Sequence, residues 1–150
     1  MTNGDASTPV GELLPNDAWE LLVQEPDSVL IDVRTRAEWG FVGVPDIAEL
    51  GKSTVFVEWS QYPNMSINPR FAAEVIEQFE GKMPSHLPVI CRSGARSLNA
   101  AYAVSDHLSQ AGVTVPCINV AEGFEGDLDP AGHRGSLNGW KFRGLAWRQS

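Results

Sequence analysis

Apolar positions along the chain fall into short runs separated by stretches with helical spacing. Residues 28–32, Ser-Val-Leu-Ile-Asp, form a continuous apolar run that closes on an acid, the pattern of a buried parallel strand. Residues 87–91, Leu-Pro-Val-Ile-Cys, give a second such run. Residues 10–14 and 55–59 are further strand candidates. Residues 113–120 make a fifth, and Pro116 near its middle predicts a bulge or an edge there. Between these runs, Ala18, Leu21 and Leu22 form an apolar stripe. Asn16 is the expected N-cap of that helix, with Asp17 and Glu20 in its first turn. A short helix is expected over 36–40. Asn68-Pro69 places a cap before a proline and predicts a helix start. In that helix Phe71, Ala72, Val75, Ile76 and Phe79 share one face, while Glu74, Glu77 and Glu80 fall elsewhere. Leu98, Ala101, Tyr102, Ser105 and Leu108 carry the last helical stripe, which begins near Arg96 or Ser97 and is closed by Gly112. Residues 121–150 read as irregular and glycine-rich, with Trp140 and Trp147 near the end.

Strands alternating with helices predict an α/β fold: a five-stranded, mostly parallel sheet with helices on both faces. Residues 1–9 read as a polar, flexible lead-in and 10–150 as one domain, a size that buries a full core. In open sheets of this kind, ligands bind beyond the carboxyl ends of the strands. Two predicted strand ends carry chemistry there, Asp32-Val33-Arg34 and Cys91-Arg92.

Charge narrows the choice of partners. Nineteen acids face eleven cations, for a net charge of -8. That balance argues against nucleic acid as a partner, because non-specific affinity for it comes from cations meeting phosphates. It argues equally against an anionic membrane surface. No apolar run reaches the roughly 18 residues of a membrane helix, and the first residues lack the apolar core of a signal peptide. A cytoplasmic location is the expectation. Two cysteines are too few for a disulfide scaffold, and three scattered histidines predict no metal. The charge is also uneven. Residues 1–129 hold all nineteen acids and seven cations, whereas 130–150 hold Arg134, Lys141, Arg143 and Arg148 without an acid. This basic tail is expected to fold back near Cys91 and lend it positive potential.

Residues 89–98, Val-Ile-Cys-Arg-Ser-Gly-Ala-Arg-Ser-Leu, are the most informative segment. A cysteine ends a buried strand, a short loop follows, and a helix begins. Such a turn aims several backbone N–H groups at one point, and the helix terminus adds partial positive charge. Arg92 and Arg96 add two full charges. The arrangement favours the Cys91 thiolate over the thiol. A thiolate held among donors attacks a sulfur or phosphorus centre, and the same donors hold the anionic group that arrives or leaves. Cys117, inside an apolar strand without a basic neighbour, reads as a core thiol.

The segment resembles the active-site loop of rhodanese-domain sulfurtransferases. Asp32-Val33-Arg34, with Glu38 four residues on, resembles that family's Asp-x-Arg-x-x-x-Glu segment. The resemblance spans roughly residues 10 to 148. It implies that Cys91 accepts a sulfane sulfur as a persulfide, from a small anionic donor such as thiosulfate or from another persulfide. A thiol, cyanide or protein acceptor then takes it, and no cofactor is needed. The backbone of Arg92, Ser93, Gly94, Ala95, Arg96 and Ser97 is expected to hold the substrate. Asp32, Arg34 and Glu38 are expected to support the site, with Asp32 fixing Arg96 and Glu38 pairing with Arg34. Phe41 stands where the family often has histidine, and Glu122-Gly-Phe-Glu-Gly126 stands where it usually has a Gly-Gly pair. From Cys91 through Arg96 the loop is Cys-x4-Arg, whereas phosphatases with this chemistry use Cys-x5-Arg to surround a tetrahedral anion. The shorter loop matches a terminal persulfide better than a phosphate or arsenate. A non-enzymatic persulfide carrier or a redox sensor remains an alternative with the same loop.

Overall fold

The computed structural model describes residues 10–150, so the lead-in expected over 1–9 lies outside the described residues. In chain order the elements are β1 (Gly11–Leu13), α1 (Pro15–Gln24), β2 (Ile31–Asp32), α2 (Arg36–Phe41), β3 (Val44–Pro45), a 3-10 turn (Ala48–Leu50), β4 (Val55–Phe56), β5 (Ser60–Gln61), β6 (Ser66–Ile67), α3 (Phe71–Gln78), β7 (Leu87–Ile90), α4 (Ala95–Gln110), β8 (Cys117–Val120) and β9 (Trp147–Arg148). Five strands form one sheet in the order β1-β8-β7-β2-β4, with every pair parallel. The expected fold class is therefore the observed one. Asp32 lies opposite Ile90 in the register. The chain thus leaves β2 and β7 at the same level, which brings the Asp32-Val33-Arg34 and Cys91-Arg92 segments together.

The two-residue period of a strand sorts the core into two halves. Ile31, Val33, Leu87, Val89, Cys91 and Cys117 pack with Phe71 and Val75 of α3 and with Ala100, Ala101, Val104 and Leu108 of α4. Leu30, Ile90 and Val120 pack on the opposite face with Ala18 and Leu22 of α1, and with Ile47, Phe124 and Trp140. One helix does not cover that second face, and the irregular C-terminal segment completes the layer. Trp140 is fully buried, meets Trp19 edge-on at 5.9 Å, and donates its indole N–H to the Ala146 carbonyl at 2.8 Å. β9 pairs antiparallel with β3 and ties down the chain end.

The strands expected over 28–32 and 55–59 shorten to Ile31–Asp32 and Val55–Phe56, and four further boundaries differ from the sequence expectations for local reasons. Leu14, not Asn16, occupies the N-cap of α1, because Pro15 takes the first helical position, where its missing N–H is not needed. α3 begins at Phe71. Asn68 caps the preceding turn instead, accepting the Arg70 N–H on its side chain and the Phe71 N–H on its carbonyl. α4 begins at Ala95, with Gly94 as its cap at a φ of 115°. β8 starts at Cys117, so Pro116 precedes the strand and makes no bulge within it. Its carbonyl still accepts the Leu87 N–H at 2.8 Å.

Candidate active site

Cys91 is the first residue beyond β7, the central strand of the sheet. Its Sγ accepts the Gly94 N–H at 3.1 Å and lies 3.1 Å from the Ser97 hydroxyl. The loop turns through Gly94, whose positive φ an L side chain resists. Ala95, Arg96 and Ser97 form the first turn of α4, where N–H groups have no partner within the helix. Arg92 and Ala95 are exposed, Ser93, Gly94 and Arg96 are half-buried, and Ser97 is buried.

The sequence placed the supporting ion pairs on the wrong partners. Glu38, not Asp32, fixes Arg96, through a fork of 2.7 and 2.9 Å. Asp32 instead takes Arg34, with both side chains fully buried and their closest approach 2.7 Å. The reason is reach. Arg34 folds back over two residues to Asp32, donates also to the Gly43 carbonyl at 2.8 Å, and lies 4.3 Å from the Phe124 ring centroid. Glu38, one turn into α2, faces α4 across the site.

Glu38 also closes the start of its own helix. Its carboxylate accepts the Thr35 N–H and hydroxyl, and its N–H donates to Thr35 Oγ1, a reciprocal capping box. Burial by itself would raise the Glu38 carboxyl. The Arg96 fork and the Thr35 N–H outweigh it and hold the group at about 2. Burial likewise opposes the Arg96 charge, but Glu38 overrules it, with smaller pulls from Cys91 and Asp32. Cys117 is the opposite case. Burial pushes its thiol up to about 12, as suits a core residue.

A pocket of about 450 Å³ opens beside the loop. Glu38, Arg92 and Arg96 line it together with Val42, Tyr62 and Met65. Tyr62 also shares an adjoining depression with Phe41, which is 85% exposed. The lining therefore combines charged and apolar side chains. Arg96 is matched by Glu38, and Arg92 has no carboxylate partner among the described residues.

The segment that meets the Cys91 loop precedes the basic tail: the Phe124 N–H meets the Cys91 carbonyl at 2.8 Å, and the Glu125 N–H meets that of Arg92 at 3.0 Å. Gly123 makes this possible, since a Cβ there would lie 2.5 Å from the Arg92 carbonyl. The tail, residues 130–150, packs on that segment, with the Trp140 and Lys141 N–H groups on the Gly123 and Phe124 carbonyls at 2.9 and 3.2 Å. The tail cations are engaged elsewhere. Arg143 pairs with Glu122, Arg148 with Asp46, Lys141 with the Val42 carbonyl, and Arg134 with the Gly126 carbonyl. None of them is among the described residues that line the pocket.

Sequence reasoning passed over Thr35, Asn119, Gly123, Tyr62 and Met65. Two of these left a signal. Thr35-x-x-Glu38 is a capping-box pattern, and Asn119 interrupts an otherwise apolar strand.

The chain is 43% identical to Rv0390 from M. tuberculosis, covering 95% of this chain and 100% of that one, with a TM-score of 0.81. It belongs to the family of Rv0390. Two uncharacterized proteins are more distant: RC0915 of Rickettsia conorii at 29% identity and RP600 of Rickettsia prowazekii at 27%. Each match spans 139 residues, 93% of this chain and 98% of the relative. No family model matches the chain. A polysulfide-sulfur transferase homodimer from Wolinella succinogenes shares the fold at 20% identity and a TM-score of 0.53, over 94% of this chain and 80% of that one. The parallel α/β fold is thus common to both. Among the described residues, no helix is long and apolar enough to cross a membrane.

Proposed function

We propose that this member of the Rv0390 family is a rhodanese-type sulfurtransferase that carries a sulfane sulfur on Cys91. The observation that carries the reading is the placement of Cys91 Sγ. It sits just past the central strand, against the Gly94 N–H at the start of a 16-residue helix. The Cys91 thiolate attacks the outer sulfur of thiosulfate. A sulfur–sulfur bond forms to Cys91, the donor's sulfur–sulfur bond breaks, and its electron pair leaves with sulfite. The terminal sulfur of the persulfide carries the negative charge, which the first-turn N–H groups of α4 stabilise. An acceptor thiolate or cyanide then attacks that terminal sulfur and regenerates the Cys91 thiolate.

The pocket favours an acceptor larger than cyanide. Its volume of about 450 Å³ and its Val42, Tyr62 and Met65 wall suit a thiol with an apolar body, and Arg92 suits an anionic group on that molecule. Persulfide donors of the same build use the same wall.

Intact mass after mixing with thiosulfate, or with a low-molecular-weight persulfide, tests the reading. Wild type gains one sulfur atom and Cys91→Ser gains none. Absence of a sulfur adduct with any sulfane donor, combined with turnover of an aryl phosphate, would overturn it.

A further inference from the structure

Behind the Cys91 loop runs a polar chain that the sulfur chemistry above does not require. The Ser97 hydroxyl lies 2.5 Å from Asn119 Oδ1 and 3.1 Å from Cys91 Sγ. Asn119 Nδ2 donates to the Glu12 carboxylate at 3.2 Å. Asn119 and Ser97 are buried at 3% and 0% exposure, while Glu12 reaches the surface from β1, directly opposite Asn119 in the register. An asparagine in the middle of a buried strand costs stability unless its amide is satisfied. Here both ends of the amide are used.

The direction of this chain is fixed by elementary hydrogen-bond accounting. A carboxylate only accepts, so the amide must turn its NH2 toward Glu12. Its carbonyl then faces Ser97. A hydroxyl has one proton, and at 2.5 Å that proton goes to the Asn119 carbonyl. Ser97 is left presenting a lone pair, not a proton, to Cys91 Sγ. A lone pair suits a thiol, whose proton it accepts, and it tolerates the neutral inner sulfur of a persulfide. It opposes a bare thiolate.

We propose that Glu12 and Asn119 are positioning residues for Cys91. Through Ser97 they restrain the empty thiolate and leave the thiol and the persulfide as the resting forms. The effect counters the Gly94 N–H and the charges of Arg92 and Arg96. Of the other charged groups around the loop, Asp32 pairs with Arg34, Glu38 with Arg96, and Glu122 with Arg143, while Glu125 acts on Lys141. Glu12 is the carboxylate that ends the chain. The inference rests on Cys91 being the reacting group. Its test reads alkylation of Cys91 rather than sulfur transfer, so the two readings fail separately.

The experiment follows the rate of Cys91 alkylation by iodoacetamide against pH, in the full-length protein. Glu12→Gln lets the amide of Asn119 turn over, so that Ser97 donates to sulfur. The midpoint of the profile is expected to fall by about one pH unit, roughly tenfold in thiolate population. The same substitution in a Ser97→Ala background is expected to produce no shift, and Ser97→Thr, which keeps the hydroxyl, is expected to restore it. A shift that persists in Ser97→Ala would mean that Glu12 acts through space and would overturn the proposal, as would the absence of any shift in Glu12→Gln. A second measurement does not depend on the buried variant. In about 1 M salt, where a through-space effect from exposed Glu12 is screened within a few ångströms, the Glu12→Gln shift is expected to remain. Its disappearance would also overturn the proposal.

Discussion

Replacing Glu38 with glutamine tests how strongly the site depends on a single carboxylate. Glu38 holds Arg96 in a two-pronged fork and closes the α2 capping box, and both partners are only 19% exposed. Its carboxyl is lowered from 4.5 to about 2, so the folded state prefers the ionised form. One pH unit of such preference is worth about 1.4 kcal/mol, which makes the full preference ~3 kcal/mol. Glutamine keeps the shape and one acceptor but loses the charge, so Glu38→Gln is expected to cost ~2 to 3 kcal/mol at pH 7. The sign of the pH dependence follows from the lowered carboxyl. A group that titrates lower in the folded than in the unfolded chain stabilises fully above its unfolded value of 4.5, and that stabilisation drains away as the pH falls toward 2. Near pH 3 about half of it remains. Urea unfolding of both proteins at pH 7 and pH 3 measures this directly. The gap between them should shrink by about half on acidification. An equal gap at both pH values, or a loss at pH 7 smaller than about 0.5 kcal/mol, would refute the argument that Glu38 fixes Arg96 electrostatically.

Asp32→Ala leaves Arg34 fully buried without its carboxylate and is expected to cost ~3 to 5 kcal/mol. Replacing both residues with apolar ones should recover much of that, as read from denaturant midpoints. Alkylation of the native protein at pH 8 is expected to label Cys91 and leave Cys117 unmodified, because burial pushes the Cys117 thiol up to about 12; peptide mapping of the labelled chain decides it. Trp140→Ala removes the largest fully buried side chain and is expected to cost ~3 to 5 kcal/mol in unfolding free energy. Truncation after Asp129 removes the same residue together with β9 and should abolish cooperative thermal unfolding. A truncated chain that melts like the full one would show that the tail is dispensable to the core.

Much of the scaffold is legible in the sequence. Apolar runs at 28–32 and 87–91, bounded by turn residues and separated by helical stripes, specify parallel strands under helices. Burial on both faces favours apolar residues along most of such strands. The loop from Cys91 through Arg96 is equally local. Its cysteine, glycine and arginines lie within six residues, so the turn they make is set by their own backbone preferences. The Thr35-to-Glu38 capping box is local as well, although the other half of Glu38's role is not.

Tertiary structure decided which charges meet. Glu38 and Arg96 are 58 residues apart in the chain, and nothing near either of them announces the other. The sequence pattern points Asp32 at Arg96, but Arg34 lies closer and is buried with it, and a buried carboxylate left without a cation is strongly destabilising. The tail shows the same limit. Its four cations are visible as composition, but their partners are not: Glu122 and Asp46 neutralise Arg143 and Arg148, and backbone carbonyls hold Lys141 and Arg134 away from the pocket. Local preference and hydrophobic period thus set the elements and the cysteine loop. The assignment of ion pairs, the Glu12–Asn119–Ser97 chain and the tryptophan layer under the sheet are fixed only when packing brings distant residues within a few ångströms, because hydrogen bonds and buried ion pairs depend on separation in space and not on separation in sequence.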